Sequence, residues 1–136
     1  MFAPAAPILA RLAALPALAG WAVRSTAEEG SRKVLPAVEL ECIAAEMQDA
    51  RNGAVLVSVE WAVHLVVARS APAFTALDAA FVAVVAALHH WTPGTTAPAW
   101  SPLILARVNQ PEVVEQGLIA YSLSFTTQAV YRGNGA

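Results

Sequence analysis

The sequence contains a single cysteine, Cys42, among its 136 residues. One thiol cannot form an internal disulfide or supply a four-cysteine metal site, and a reducing, intracellular environment is therefore expected. A glycine-rich phosphate loop, a CxxC pair and a nucleophile-elbow serine are also missing from the sequence. These absences predict a protein that is not an enzyme and that has neither a cofactor nor a bound metal.

Charge is scarce as well, because only 13% of the residues are charged whereas 57% are hydrophobic. Soluble globular proteins carry about 25% charged residues. Eight basic and ten acidic residues give a net charge of −2, with no basic block, which disfavours binding to a nucleic-acid backbone. The uncharged surface left on a lone chain indicates contacts between subunits. The alanine-rich composition explains part of the high share of hydrophobic residues.

The first twenty residues are mostly apolar, and Ala17-Leu18-Ala19 resembles the cleavage site of a signal peptide. Arg11, however, lies inside the apolar run and three prolines interrupt it, so export is only a minor alternative. The spacing of the leucines predicts a short helix between Pro7 and Pro16. Residues 79–106 form the longest uncharged stretch, but prolines and a glycine break it and no transmembrane helix is predicted.

Residues 54–69 alternate between apolar and more polar side chains. The apolar positions are Val55, Val57, Val59, Trp61, Val63, Leu65 and Val67. A period of two predicts a β-strand with one dry face. At ~3.3 Å per residue such a strand spans ~50 Å, whereas a compact domain of this length has a radius of gyration of ~14 Å. The strand is therefore expected to bend or to reach a neighbouring molecule.

A second alternating run follows Pro36, with Val38, Leu40 and Cys42 on one side. The segment 49–53 then ends in Asn-Gly, a strong hairpin signal, so the two runs are predicted to pair antiparallel. Residues 24–33 precede them as the most polar part of the sequence, and we expect an exposed loop there. This loop is either a solvated surface or a mobile arm that orders when a partner docks.

A second helix is predicted to begin near Pro72 and to end near residues 89–94. Its expected inner face comprises Phe74, Leu77, Phe81, Val84, Val85 and Leu88. Two further strand-like runs, 103–115 and 118–131, close the sequence. The order α-β-β-α-β-β predicts one α+β domain over residues 1–136, with helices on one face of a mostly antiparallel sheet.

Several residue types invite a catalytic interpretation, but each also has a simpler structural one. Glu39 and Glu41 are ~7 Å apart on one strand face, a spacing compatible with paired-carboxylate chemistry, although a solvated strand face is favoured. His89 and His90 diverge by ~100° on a helix, which suits a helix terminus better than a metal site. His64 is an isolated histidine on the more polar strand face.

The remaining candidates are apolar or aromatic. Cys42 is interpreted as a small core residue. Core packing is expected for the aromatic residues on inner faces, namely Trp61, Phe74, Phe81, Tyr121 and Phe125. Trp91 and Trp100 flank a proline-rich segment. They are interpreted either as interface anchors or as staples that hold this segment on the domain.

Several segments, taken in order, resemble the tail terminator proteins of long-tailed bacteriophages and related prophages. The resemblance extends over most of the chain, except the alanine-rich start. It is carried by Leu35-Pro36-Ala37-Val38, by Leu77-Asp78, by Ala87-Leu88-His89-His90-Trp91 with Pro93-Gly94, and by Ala120-Tyr121-Ser122-Leu123-Ser124-Phe125-Thr126-Thr127.

This resemblance implies a homo-hexameric ring that caps the completed tail tube, stops its polymerisation and offers a surface for joining the head. The implied partners are further copies of the chain, the tail tube protein and the head-tail connector, with assembly in the host cytoplasm and a final place at the head-proximal end of the tail. DNA would pass through the ring without specific binding, and no membrane is involved.

The resemblance also suggests roles for charged residues. Residues expected to meet partner proteins are Arg24, Glu28, Glu29, Arg32, Lys33, Asp49, Arg51 and Asn52. The acidic residues expected to line a lumen, from which they would repel DNA, are Glu39, Glu41 and Glu60. Three alternatives stay open: another ring of the head-tail joint or the tube protein itself, a small α+β binding domain or enzyme that uses His64, His89 or the two glutamates, and an exported protein.

Overall fold

A computed structural model describes residues 2–26, 35–49, 51–94, 98–112 and 117–132. It contains two helices, α1 (Ala5–Ala13) and α2 (Ala73–Leu88), and a 3-10 turn at Pro16–Leu18. Its five strands are β1 (Ala22–Ser25), β2 (Ala37–Asp49), β3 (Ala54–Ala68), β4 (Ile104–Glu112) and β5 (Leu118–Arg132), which form one sheet in the order β1-β2-β3-β5-β4. The predicted α+β class and mostly antiparallel sheet are confirmed.

The hairpin between β2 and β3 forms as the Asn-Gly signal predicts. The two strands pair antiparallel from Ala37 opposite Val66 to Asp49 opposite Val55, with one irregularity near Ile43. Asn52 and Gly53 have φ angles of 61° and 71°. Positive φ at both central positions is the requirement of a type I′ turn, which matches the twist of the flanking strands. Strong local turn chemistry thus fixes the register of β2 on β3.

The first strand departs from the sequence prediction. Arg24 and Ser25, the first residues of the predicted loop, belong to β1, which pairs parallel to the start of β2. The sheet is therefore mixed, and the predicted element order lacks one strand. A four-residue strand is too short to show alternation. The residues with which β1 pairs belong to the edge of β2, and the sequence of β1 alone does not reveal them. The rest of the predicted loop, residues 27–34, lies outside the described residues.

Strand β3 lies at the centre of the sheet. It pairs with β5 over fifteen positions, from Ala54 opposite Arg132 to Ala68 opposite Leu118, and β5 in turn pairs with β4. Strand β2 is buried over 37–40 and exposed over 43–49. Its outer part therefore extends beyond the packed core, on the side where β1 has already ended.

The hydrophobic core lies between the two helices and the odd-numbered face of β3. Val59, Trp61, Val63 and Leu65 are all at most 3% exposed and join one cluster with residues of both helices. The dry face predicted for this strand is confirmed. Among the predicted core aromatics, Trp61 and Phe125 are buried, whereas Phe81 and Tyr121 are half-buried and stack edge to face.

The buried stripe of α2 differs from the predicted one. Its members are Ala73, Leu77, Ala80, Val84, Ala87 and Leu88. Phe74, predicted to lie in the core, is 66% exposed, so that prediction is wrong. The prediction followed bulky residues, but three alanines at helical spacing allow close approach of the helix and turn Phe74 outward.

Candidate functional site: the polar face of the sheet

The sheet face opposite the helices carries most of the polar side chains, and we call it the polar face. The strand registers place Arg24, Glu39, His64, Ser122 and Asn109 in one row across all five strands. Residues directly opposite one another on neighbouring strands share a face. The neighbouring row contains Glu41, Ala62, Ser124 and Arg107.

A Glu–His–Ser chain of hydrogen bonds lies in the middle of this face. His64 Nε2 is 2.8 Å from Glu41 Oε1, and His64 Nδ1 is 2.7 Å from Ser122 Oγ. The histidine is therefore held at both ring nitrogens, by residues from two neighbouring strands. Sequence reasoning treated His64 as isolated because its partners are 23 and 58 residues away along the chain.

Although these three residue types occur in hydrolytic triads, the surroundings do not suit acyl transfer. A triad needs backbone or side-chain donors directed at the developing oxyanion. Ser122 lies within β5, between β3 and β4, where backbone N–H groups are engaged in the sheet ladders. The arrangement is better explained as a structural polar network.

Two arginine–glutamate pairs flank this chain. Arg24 Nε lies 3.0 Å from Glu39 Oε2, and the two side chains are only 12% and 9% exposed. Arg107 Nη2 lies 2.9 Å from Glu60 Oε1, with the arginine largely exposed and the glutamate nearly buried. Glu39 and Glu60 are thus each neutralised by an arginine, whereas Glu41 is the most accessible of the three predicted lumen residues, at 44% exposed.

The predicted interface residues fall into three groups. Arg24 is nearly buried in β1, and Glu28, Glu29, Arg32 and Lys33 lie outside the described residues. Asp49, Arg51 and Asn52 are exposed at the β2–β3 turn. Their role in binding a partner stays a prediction, as does the lumen role of Glu39, Glu41 and Glu60, because both concern an assembly.

The histidine pair at the end of α2 has a structural role in the single chain. His89 follows the last helical residue, and its Nδ1 accepts a hydrogen bond from the backbone N–H of Leu105 at 3.1 Å. The backbone N–H of His90 donates to the carbonyl of Leu103 at 2.7 Å. Both residues therefore tie the helix terminus to the start of β4. Within the described ranges, no group of three or more His, Cys, Asp or Glu residues is arranged to hold a metal ion.

The tryptophans next to the proline-rich segment act mainly as staples. Trp100 is 4% exposed and contacts the ring of Tyr131 edge to face. The Arg11 guanidinium lies 4.7 Å from the ring centre of Trp91. This cation–π contact joins α1 to the end of α2. Of the two interpretations given by the sequence, packing against the domain is the one that these contacts favour.

Cys42 lies on β2, opposite Trp61, and is half-buried. Burial raises the pKa of its thiol above the ordinary value, and the negative charge of Glu41 adds to this effect. A raised thiol pKa disfavours the reactive thiolate. The cysteine is therefore poorly suited to act as a nucleophile.

Comparisons with known proteins give a likeness of fold. The chain matches a solved chain from the structure "Virion of native gene transfer agent (GTA) particle", with a TM-score of 0.68 and 15% identity over 93% of each chain. At this identity the match shows a shared fold, over nearly the full length of both chains. Neither the protein-family models nor the curated proteins contain a match to this sequence. Neither described helix is long and apolar enough to cross a membrane.

Proposed function

We propose that this chain is a structural protein of a phage-like virion and that it forms the ring that terminates the tail tube. The observation that carries the proposal is the full-length likeness of fold to a chain of a gene transfer agent virion. The resemblance of several sequence segments to tail terminators supports the more specific role. The first argument uses the course of the backbone, and the second uses residue identities and the order of the segments.

The surface chemistry of the chain supports assembly rather than catalysis. Ile43 and Met47 on the outer part of β2 are 43% and 72% exposed, and Ile104 and Val108 on β4 are 41% and 39% exposed. These two strands have unpaired outer edges among the described residues, beyond the four positions that β1 covers on β2. Apolar side chains beside open strand edges favour contacts with other protein chains.

The polar face is the surface that we propose for the lumen. Among its charged residues, Glu39, Glu41 and Glu60 contribute three negative charges, and Arg24 and Arg107 contribute two positive charges that are already paired with glutamates. The charges of these five residues sum to −1, and both arginines already have a glutamate partner. DNA would therefore pass along it without being held at its phosphates.

The resemblance suggests two surfaces for contacts with partner proteins, the segment 28–33 and the β2–β3 turn, and we propose the first of them as the contact with the tail tube. Deleting residues 28–32 is expected to leave a folded domain that binds tail tubes less tightly, since three of these five residues are charged and could pair with a partner protein. Tubes of normal, terminated length with this variant would contradict the proposed contact.

The experiment that tests the function combines light scattering, negative-stain images and tube assembly. We expect purified protein to form closed rings at high concentration or on tube ends, and to stop the growth of tail tubes at substoichiometric amounts. Tubes that grow unchanged in its presence would refute tail termination. A protein that polymerises alone into long tubes would instead be a tube subunit, and rings that bind only the connector would indicate another position in the head-tail joint.

A further inference from the structure

The hairpin tip, defined here as residues 47–49 and 51–53, carries two exposed side chains of different chemistry. Met47 is 72% exposed, more than any other large apolar side chain of the described residues. Arg51 follows it at the turn, is also exposed, and forms no ion pair with another described residue. The tip therefore offers an exposed apolar side chain and a cation that has no ion-pair partner among the described residues.

A small groove between α2 and β5 offers the complementary chemistry. Its walls are Phe74, Leu77, Phe81 and Tyr121, it has a volume of about 180 Å³, and its only charged residue is Asp78. Phe74 stands 66% exposed at its rim. Methionine sulfur makes favourable contacts with aromatic rings, and its unbranched side chain fills irregular spaces. A groove of this size holds several water molecules, which leaves room for one such side chain.

The tip and the groove lie at opposite ends of the same sheet. Asp49 is paired with Val55 at the start of β3, whereas Tyr121 is paired with Leu65 near the end of β3. These ten positions correspond to ~33 Å at ~3.3 Å per residue. The tip of one chain therefore cannot reach the groove of the same chain, and any contact between them joins two copies.

We propose that the hairpin tip of one copy docks in the α2 groove of the next copy, with Met47 between the aromatic walls and Arg51 paired with Asp78. This inference rests on the self-assembly in the proposed function. The contact joins two different surfaces, so each copy has one of each to offer to its neighbours. Such a heterologous contact closes into a ring when the rotation per subunit permits it. The tip is thereby assigned to a neighbouring copy rather than to the tail tube or the connector.

Charge reversal tests the proposed ion pair. The variants are Arg51→Glu, Asp78→Arg and the double variant, and Arg69→Glu is the control because Arg69 is an exposed arginine that belongs to neither the tip nor the groove lining. Each single reversal should raise the concentration for half-assembly about tenfold or more, since like charges would meet at the contact. The double variant should return to within about threefold of the wild type, and the control should assemble normally. Circular dichroism verifies that each variant is folded.

Site-specific cross-linking gives a second readout. In a Cys42→Ala background, a Met47→Cys chain is mixed with a Phe74→Cys chain under mild oxidation. The expected product is a disulfide-linked dimer that contains one chain of each kind. Pairing Met47→Cys with Val82→Cys serves as the control, because Val82 is exposed on α2 but does not line the groove.

The outcomes separate this inference from the function on which it rests. A double reversal that fails to restore assembly, absence of the mixed dimer, or a wild-type chain that stays monomeric at every concentration and also on tail tubes would overturn the docking. Rings that terminate tubes while every reversal variant assembles normally would also overturn it, but would leave the proposed function intact. Rings that depend on the Arg51–Asp78 pair yet leave tube growth unchanged would support the docking and refute tail termination.

Discussion

The Glu41 carboxylate bonds His64 diagonally across two strands rather than directly. The residue opposite Glu41 is Ala62, and the residue opposite His64 is Glu39. This diagonal leaves the Glu39 carboxylate to Arg24, which is its direct neighbour on β1. Two glutamates of the same strand face thus have different partners, which separates their charges. The geometry argues against a catalytic carboxylate pair and for a network that fixes the side chains of the polar face.

The Glu41–His64 contact is expected to contribute little to stability. Both side chains are partly exposed, and a double-mutant cycle with Glu41→Gln and His64→Ala should give a coupling energy of about 0.5 kcal/mol, measured by urea unfolding. Ser122→Ala should preserve both fold and assembly, since only one partly exposed hydrogen bond is lost. Loss of a hydrolytic activity in the Ser122→Ala variant, with its fold unchanged, would reverse the structural interpretation of the three residues.

The Arg24–Glu39 pair should behave very differently, because both side chains are nearly buried. Arg24→Met leaves the Glu39 carboxylate in a dry environment without its arginine, and we expect the free energy of unfolding to fall by about 3 kcal/mol. The double variant Arg24→Met/Glu39→Gln should recover part of this loss, because the nearly buried carboxylate is removed together with its arginine. Equal instability of the single and double variants in urea would show that the ion pair is not the source of the effect.

The sequence predicts the secondary-structure elements of this protein better than the contacts between them. The alternation over β3, the Asn-Gly turn and the period of α2 are local signals, and the structure contains all three elements. Strand β1 was missed because its four residues form a strand only by pairing with the edge of β2. The Glu41–His64–Ser122 chain was missed for a similar reason. Alternation places these residues on one face, but only the pairing of three strands shows that they touch.

The face of α2 that packs on the sheet was assigned incorrectly at Phe74, and this error has an energetic test. Ala80 is fully buried at the helix–sheet contact, while its neighbour Ala79 is exposed. Ala80→Leu should destabilise the fold by about 1–3 kcal/mol through overpacking. The matched variant Ala79→Leu should change stability by no more than about 0.5 kcal/mol. Similar effects of both substitutions on thermal unfolding would mean that the alanine stripe does not set the helix–sheet distance.

The raised pKa of Cys42 predicts an unusual pH dependence for its reaction with iodoacetamide. Only the thiolate reacts, so the rate for the folded chain should keep rising at pH values where the rate for the urea-unfolded chain has levelled off. The midpoint of each pH profile is compared rather than the absolute rate, because restricted access slows the reaction without moving the midpoint. The unfolded chain loses its thiol proton first as the pH increases, so the contribution of this thiol to stability is complete below the unfolded pKa and declines as the pH rises through the folded one. A folded midpoint at or below the unfolded one would show that burial does not control this thiol.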